Sequence, residues 1–271
     1  MHYICALTIA GSDSVGGAGI QADIKTMSAL GVYAASAITA VTVQNTTGVY
    51  GIQPIRPDIV SGQIRAVMDD IHPRAVKIGM VNDADTIHAI ADTLRQYPGT
   101  PTVIDPVMVS TSGCRLMQED ALNVFRAELM PLATLLTPNV PEAEILAGMR
   151  IATTADMERA AMRIGSDTHC DLLVKGGHID GDTKTDILYT SGKRTETFNT
   201  RTVDTRNTHG TGCTLSSAIA AYIALGHTTA DAIRHAKDYL YHALEAGKDV
   251  ETGRGHGPVC HTFNPKPLER Q

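Results

Sequence analysis

The feature that most constrains the fold of this chain is an alternation of short apolar segments with longer amphipathic ones. Six apolar runs have the length of buried strands, and helical patterns separate and follow them. Continuous apolar strands are typical of a parallel sheet that helices cover on both faces. The pattern therefore predicts a doubly wound α/β fold. The predicted strands are Tyr3–Ala10, Tyr33–Val43, Ala75–Ile78, Thr102–Ile104, Thr134–Leu136 and Asp171–Val174.

The remaining segments supply the helices and a hairpin. Two short β-like segments, Thr185–Tyr189 and Arg194–Phe198, flank Ser191-Gly192 and predict an antiparallel hairpin after the parallel strands. No repeat or Pro/Ser-rich linker divides the chain, so we expect one domain over residues 1–271, with an irregular tail from Gly253 to Pro267. The predicted helices are Ala18–Leu30, Asp58–Ile71, Ala84–Tyr97, Gln118–Leu129, Thr154–Gly165, Gly212–Leu225 and Thr229–Gly247.

Composition favours a folded globular protein and argues against several partners. Of the 271 residues, 43% are hydrophobic and 19% are charged, which is ordinary for a globular domain. The formal net charge is -6 and the Lys and Arg residues are scattered, so we expect no nucleic-acid partner. The sequence has no signal-peptide pattern and no apolar run that approaches the roughly 18 residues of a membrane span, so we expect no membrane association.

The cysteines indicate a reducing compartment. Cys5, Cys114, Cys170, Cys213 and Cys260 are odd in number, widely spaced and without a CxxC pair. This arrangement argues against both a disulfide framework and a structural zinc site. We therefore expect reduced thiols and a cytoplasmic protein.

Polar residues follow each predicted parallel strand. In doubly wound sheets, ligands bind beyond the carboxyl ends of the strands, so these residues are the first candidates for a site. Six independent segments would reach one edge of the sheet. They are Gly11-Ser12-Asp13, Gln44-Asn45, Gly79-Met80, Asp105-Pro106, Pro138-Asn139 and Lys175-Gly176-Gly177-His178.

A glycine-rich segment, Asn207–Thr214, directly precedes an alanine-rich helix. Its glycines allow close approach of the backbone to a ligand, and the first helical turn offers unpaired N–H groups with a partial positive charge. This junction could hold a phosphate, although a loop that serves only turn geometry is the alternative. The helix end would lower the pKa of the Cys213 thiol. Cys213 could act as a weak base, close the anion pocket, or be a small buried apolar residue.

A second candidate cluster combines Asp105 with Asn139 and Glu142. Carboxylate and amide oxygens that follow neighbouring strands could hold Mg²⁺ beside nucleotide phosphates. The alternative is structural: Asp105-Pro106 would end a strand, and Asn139 and Glu142 would begin a helix at Pro141. The residues alone leave both interpretations open.

The remaining candidate site residues indicate a binding site only when they are taken together. The amide of Gln44 suits a nitrogen-bearing heteroaromatic ring, and Met80 and Val107 could line an apolar slot for that ring. Lys175 and Lys237 could approach phosphates. The alternatives are that Gln44 is simply exposed at a strand end, that Met80 and Val107 pack in the core, and that Lys175 and Lys237 are solvated charges.

Several common nucleotide and hydrolase motifs lack support. Gly17–Ala22 matches G-x-G-x-x-A, but no acidic residue lies between Asp23 and Asp58 to bind a ribose, which weakens a dinucleotide-binding interpretation. The sequence has no G-x-x-x-x-G-K-[ST], no H-E-x-x-H and no G-x-S-x-G. A P-loop ATPase, a zincin and an α/β-hydrolase are therefore disfavoured.

Seven segments in order along the whole chain resemble one family, the hydroxymethylpyrimidine/phosphomethylpyrimidine kinases of the ribokinase-like superfamily. Together they are far more specific than any single glycine pattern. They are AGSDSVGGAGIQAD at 10–23, AVTVQNT at 40–46, KIGM at 77–80, VIDPVMV at 103–109, LTPNVPEA at 136–143, VKGGH at 174–178 and THGTGCTLSSAIAA at 208–221.

This resemblance implies a three-layer α/β/α fold with a mostly parallel central sheet and a short antiparallel hairpin. It implies ATP- and Mg²⁺-dependent phosphorylation of 4-amino-5-hydroxymethyl-2-methylpyrimidine, and then of its monophosphate, in thiamine biosynthesis. One pocket would serve both steps, and a homodimer is consistent with the family. The chief alternative is a pyridoxal or pyridoxine kinase of the same superfamily, and Gln44 favours the aminopyrimidine. A second alternative is a pyrimidine-binding module without catalysis.

The resemblance also assigns roles to residues. The anion hole and catalytic group would be Gly210, Thr211, Gly212 and Cys213, and the pyrimidine pocket would be Gly11, Ala18, Asp23, Gln44, Met80 and Val107. The Mg–ATP side would be Asn139, Lys175, Thr208 and Lys237 for the nucleotide, with Asp105 and Glu142 for the metal. Most of the superfamily has Asp as the base at the end of the anion loop, whereas Cys213 stands there in this sequence. We therefore expect transition-state electrostatics and Mg²⁺ to supply most of the rate.

Overall fold

The computed structural model describes residues 1–110, 113, 116–118, 120–168, 170–177, 182–190 and 195–271. Its strands form one sheet with the order β3-β2-β1-β4-β5-β6-β7-β8-β9. The strands from β2 to β7 in that order run parallel, whereas β3 and the β8–β9 pair are antiparallel additions at the two edges. The strands are β1 Cys5–Ser12, β2 Tyr33–Asn45, β3 Gly48–Pro54, β4 Ala75–Ile78, β5 Thr102–Ile104, β6 Leu135–Leu136, β7 Asp171–Lys175, β8 Thr183–Tyr189 and β9 Glu196–Arg201.

Helices cover both faces of the sheet, because alternate strand residues point to opposite sides. Leu7 and Ile9 pack with α2, α3, α5 and α6, whereas Ala6 packs with α1, α7 and α8. The three-layer α/β/α prediction is therefore confirmed. The helices are α1 Gly19–Ala29, α2 Pro57–Asp70, α3 Ala84–Leu94, α4 Ala121–Val124, α5 Val140–Ala147, α6 Thr154–Thr168, α7 Thr211–Ala224 and α8 Thr229–Gly247.

Most predicted boundaries agree with the structure, and three regions differ. β3 went unpredicted because two glycines and a proline lower its strand propensity, and its pairing with β2 is what orders it. α5 begins at Val140 with a capping box, which the sequence analysis considered only as an alternative to a metal site. The predicted helix Gln118–Leu129 begins later, at Ala121, and is irregular, since the short α4 continues as a π-helical turn over Phe125–Leu129.

The hairpin and the C-terminal tail agree with the sequence prediction in outline. The hairpin is confirmed by the antiparallel pairing of β8 with β9, while its turn at Ser191-Gly192 and the predicted start at Arg194 lie outside the described residues. The tail from Gly253 to Pro267 contains no helix or regular strand. Within the described ranges, no helix is both long and apolar enough to cross a membrane.

A fully buried ion pair joins the sheet to the helices. Lys77 Nζ of β4 lies 2.9 and 2.8 Å from the two carboxylate oxygens of Asp23 in α1, and both side chains are 0% exposed. Thr8 of β1 and Ser217 of α7 donate their hydroxyls to the same carboxylate. Burial lowers the pKa of Lys77, but Asp23 and the neighbouring acidic groups together outweigh burial and raise the pKa. One carboxylate thus ties together two strands and two helices.

Replacement of Lys77 by Met should destabilise the protein by about 3–5 kcal/mol, because it leaves the buried Asp23 carboxylate without its counter-charge. Chemical denaturation measures this loss. Lys248→Met is the matched control, since the partly exposed Lys248–Glu245 pair should contribute less than about 1 kcal/mol. Equal stability of the two variants would contradict the structural role of the buried pair.

Candidate active site

One cavity of ≈ 720 Å³ lies at the carboxyl edge of the parallel strands. Each of the six polar strand-end segments predicted from sequence contributes at least one residue to its wall. The lining also includes the start of α7 and residues of α8. The predicted site residues that line it are Gly11, Ala18, Gln44, Met80, Asp105, Val107, Asn139, Glu142, Lys175, Thr208, Gly210, Thr211, Gly212, Cys213 and Lys237.

Asp23 is the predicted site residue that the structure does not bring to this cavity. Its carboxylate is fully buried and accepts hydrogen bonds from Lys77, Thr8 and Ser217. The family resemblance assigned Asp23 to the pyrimidine pocket, but its ion pair with Lys77 holds it away from the cavity lining. This arrangement therefore does not favour the predicted contact between Asp23 and the substrate.

The glycine-rich segment forms the N-terminus of α7, as its sequence predicts. Gly210 is the N-cap residue with φ 80° and ψ 9°, in the left-handed region that favours glycine. A Cβ at Gly210 would lie 1.7 Å from the Gly17 carbonyl oxygen, so the turn also needs glycine for close packing. The first-turn N–H groups of α7 have no partner within the helix and border the cavity, which suits an anion.

The pKa expected for Cys213 is wrong in direction. Burial raises the pKa of this thiol to about 11, and the carboxylates of Asp23 and Asp105 add to that rise. Lys77 and a hydrogen bond from the Gly19 N–H act in the opposite direction without overcoming it. The positive helix end does not offset the rise in pKa that burial causes. Cys213 is therefore a neutral thiol near pH 7 and a poor base.

Asn139 and Glu142 begin a helix, as their structural interpretation predicts, and they also lie at the cavity. The Asn139 N–H donates to Glu142 Oε2 at 2.8 Å, and the Glu142 N–H donates to Asn139 Oδ1 at 2.9 Å, which forms the capping box of α5. Both side chains also line the cavity. The capping bonds therefore fix Glu142 at the cavity wall rather than remove it from the site.

Glu142 and Asp105 form a charged cluster with Lys175. Lys175 Nζ donates to Asp105 Oδ1 at 2.7 Å. Burial raises the pKa of Glu142 to about 7; Lys175 opposes this rise and Asp105 adds to it. Two adjacent carboxylates fit Mg²⁺, which takes one or two protein carboxylates with waters and substrate phosphates as its other ligands. The groups available therefore suit the predicted metal.

Lys237 is held in a second buried ion pair rather than solvated. Its ammonium donates to Asp186 Oδ2, and Asp186 Oδ1 accepts the Gly176 N–H at 2.9 Å. Lys237 and Asp186 are only 8% and 5% exposed. Lys175 and Lys237 thus place two ammonium groups along one side of the cavity, where phosphate oxygens could bind.

The opposite side of the cavity has an apolar slot with polar ends. Met80 packs with Val107 and Leu116, and its sulfur would lie 2.9 Å from a Cβ at Gly11, so glycine there keeps the slot open. The Thr42 hydroxyl donates to Gln44 Oε1 at 3.3 Å and orients the amide. A flat heteroaromatic ring fits between these groups.

Asp13 and His209 line the cavity, and their pairing was not predicted from the sequence. Asp13 was predicted only as part of the segment Gly11-Ser12-Asp13, and His209 lies within the glycine-rich segment Asn207–Thr214. The structure buries both and pairs His209 Nε2 with Asp13 Oδ2 at 2.8 Å. Asp186 was also missed. Its signal was a carboxylate directly before the apolar residues Ile187 and Leu188 of β8, but its partner Lys237 lies 51 residues away.

Comparison with known proteins agrees with this geometry. The family model described as phosphomethylpyrimidine kinase matches residues 13–260. A hydroxymethylpyrimidine/phosphomethylpyrimidine kinase of Rhizobium meliloti is 50% identical, over 94% of this chain and 96% of that protein. A thiamine biosynthesis bifunctional protein of Geobacter sulfurreducens is 46% identical over 94% of this chain, which corresponds to 51% of that longer protein. The ADP complex of Bacillus subtilis pyridoxal kinase superposes with a TM-score of 0.88 at 35% identity, over 96% of this chain and 98% of that one.

The raised pKa of Cys213 predicts slow alkylation at neutral pH. Iodoacetamide should modify Cys213 at a rate that keeps rising above pH 9, because the thiolate forms only near pH 11. Peptide mass spectrometry resolves Cys213 from the other cysteines, and the same peptide from denatured protein is the control. A rate that reaches its plateau below pH 8 would show a lowered pKa and contradict the electrostatic account.

Proposed function

Because the chain belongs to the phosphomethylpyrimidine kinase family and has the ribokinase-like fold, we propose that it uses ATP to phosphorylate 4-amino-5-hydroxymethyl-2-methylpyrimidine and then its monophosphate. The observation that carries this proposal is the single cavity in which an apolar slot, a glycine-rich helix start and a side with two lysines meet. The thiamine-related name of a relative supports the same place in metabolism. We propose that residues 1–271 act as one domain.

In this proposal the pyrimidine occupies the slot beside Gly11, Ala18, Met80 and Val107. Gln44 recognises the ring, since its amide can both donate to a ring nitrogen and accept from the amino group. The hydroxymethyl group then points toward the start of α7. The monophosphate uses the same slot and presents its phosphate oxygen to the same helix end.

The nucleotide occupies the side that contains Asn139, Lys175, Thr208 and Lys237. The two lysines attract the phosphates, and the first-turn N–H groups at Gly210–Cys213 stabilise the charge on the transferring phosphoryl group. Mg²⁺ held by Asp105 and Glu142 would supply further neutralisation of the phosphate charge. Such transfers pass through a loose transition state, so the attacking hydroxyl needs little prior deprotonation and a neutral Cys213 is sufficient as a pocket wall.

We also propose a cytoplasmic homodimer. The four described free cysteines, Cys5, Cys170, Cys213 and Cys260, support a reducing compartment. Val43 and Tyr50 on the β2–β3 extension are 64% and 65% exposed, and apolar groups of this kind suit a contact with a second copy. Sedimentation of the purified chain tests the oligomeric state, and a monomer at all concentrations would refute it.

Turnover of three phosphoryl acceptors tests the proposed function. With Mg–ATP, we expect the hydroxymethylpyrimidine and its monophosphate to have a higher kcat/KM than pyridoxal, because Gln44 matches an aminopyrimidine. Pyridoxal is the informative competitor because a pyridoxal kinase has the same fold. Preference for pyridoxal would overturn the substrate assignment, and binding without ATP consumption would indicate a binding module instead.

Substitution of Gln44 by Ala should weaken pyrimidine binding by roughly 1–3 kcal/mol, since it leaves ring hydrogen-bonding groups without a partner. Calorimetry measures the affinity directly. Gln53→Ala, at an exposed position of neighbouring β3, is the matched control and should leave affinity unchanged. An unchanged affinity in the Gln44 variant would remove this residue from ring recognition.

Glu142 should make both stability and metal binding depend on pH near 7. Its folded-state pKa of about 7 exceeds the ordinary value of 4.5, so its contribution to stability is complete below pH 4.5 and is lost as the pH rises through 7. Thermal unfolding between pH 6 and pH 8 should show this loss in the wild type and a smaller one in Glu142→Gln. Mg²⁺ with nucleotide should raise the melting temperature more at pH 8 than at pH 6, because the ionised carboxylate is the ligand.

Glu144→Gln on the same helix provides the control for this measurement. Glu144 accepts the Ile151 N–H and is not part of the cavity wall, so its variant should retain the wild-type pH dependence. Identical pH profiles for wild type and Glu142→Gln would contradict the role of Glu142.

A further inference from the structure

Two loops of the cavity touch each other through their backbones. One is the loop Gly11–Gly19, which forms a wall of the pyrimidine slot, and the other is the segment Thr208–Cys213 at the start of α7. A Cβ at Gly17 would lie 2.4 Å from the His209 ring, and a Cβ at Gly210 would lie 1.7 Å from the Gly17 carbonyl oxygen. The position of one loop therefore sets the position of the other.

Asp13 organises the first of these loops. Its Oδ1 accepts the Val15 N–H at 3.0 Å, and its Oδ2 accepts the N–H groups of Gly17 at 3.0 Å and Ala18 at 2.8 Å. Burial opposes the charge of Asp13, but hydrogen bonds from His209 and from the backbone lower its pKa. The group is therefore a carboxylate that acts only as an acceptor, so the proton between it and His209 resides on Nε2.

His209 is fixed from its other side by the C-terminal tail. The backbone N–H of His209 donates to the Gly257 carbonyl at 3.0 Å, and the adjoining Pro258 packs beside Gly17. Asn207, two residues earlier, donates to the carbonyls of Gly247 and Val250, each at 2.7 Å. The imidazole thus has a rigid support from which to hold Asp13.

We propose that His209 is a positioning residue, whose hydrogen bond to Asp13 sets the distance between the bound alcohol and the anion site of α7. This inference rests on the proposed function. The imidazole acts through Asp13 and not on a reacting group. It couples the loop that carries Ala18 and Gly19 to the loop that binds the transferring phosphoryl group. Loss of this bond lets the two loops move apart, which lowers the rate of transfer more than the affinity for either substrate.

Two amide substitutions separate this role from general packing. In His209→Gln the side-chain Nε2 can occupy the place of the imidazole Nε2 and reach Asp13, whereas His209→Asn is one methylene too short. Both replacements are polar and differ mainly in reach. His261→Asn is the matched control, since His261 is also buried and bonds Thr214 of α7 at 3.1 Å without lining the cavity.

Steady-state kinetics should distinguish the variants by their kcat values. We expect His209→Asn to lose about 10- to 100-fold in kcat, as displacement of a reacting group by about 1 Å does, with KM for ATP changed by less than about threefold. His209→Gln should recover most of kcat, and His261→Asn should lower thermal stability while it keeps kcat. Equal kcat in the two His209 variants, or a wild-type kcat in His209→Asn, would overturn the proposal.

Hydrogen exchange tests the coupling without any substrate. In the free protein, the amides of residues 13–19 and 209–213 should exchange faster together in His209→Asn and at nearly the wild-type rate in His209→Gln and His261→Asn. Unchanged exchange of residues 13–19 in His209→Asn would refute the coupling. If the wild type phosphorylates none of the three acceptors, the proposed function fails, and exchange still decides whether His209 holds the two loops together.

Discussion

The geometry of the site depends on the buried Lys77–Asp23 pair. A charge on a central strand is costly unless a counter-charge and further hydrogen bonds compensate for it. Asp23 provides the counter-charge, and Thr8 and Ser217 complete its hydrogen bonding. Ser217 lies one helical turn beyond Cys213, so the start of α7 is fixed to the ends of β1 and β4. Burial is the main reason that the Cys213 thiol stays neutral, and Asp23 offsets part of the lowering of its pKa by Lys77.

The parallel strands and their ends were predictable because they depend on local pattern and on one topological rule. β4, β5 and α8 have the predicted boundaries, since apolar runs and helical periodicity define them without help from distant residues. The candidate site followed from the rule that strand carboxyl ends meet at one edge of a parallel sheet. Each strand-end segment taken alone could be a simple turn. The convergence of the segments at one edge of the sheet is what indicates a site.

The misses at the site depend on contacts between residues far apart in sequence, whereas the missed β3 pairs with its neighbour β2 across a short turn. Asp23 is drawn away from the cavity by Lys77, 54 residues later. The pKa of Cys213 was predicted from the helix end alone, whereas burial and two carboxylates determine its direction. His209 and Asp13 are 196 residues apart, so their pairing has no local signal. A buried lysine in the short apolar strand β4 was the one local hint of such a partner.

The fold and the substrate preference have separate physical origins. The helix start of α7 and the lysine-rich side of the cavity suit phosphoryl transfer to any alcohol, and a pyridoxal kinase has the same scaffold at a TM-score of 0.88. The central claim is that this helix start holds the transferring group. A crystal structure with AMP-PCP, Mg²⁺ and the hydroxymethylpyrimidine tests it most directly. We predict a γ-phosphoryl oxygen about 2.7–3.2 Å from the N–H of Gly212 or Cys213, with the pyrimidine against Gln44. A γ-phosphate bound away from α7, or a pyrimidine on the Lys237 side, would contradict it.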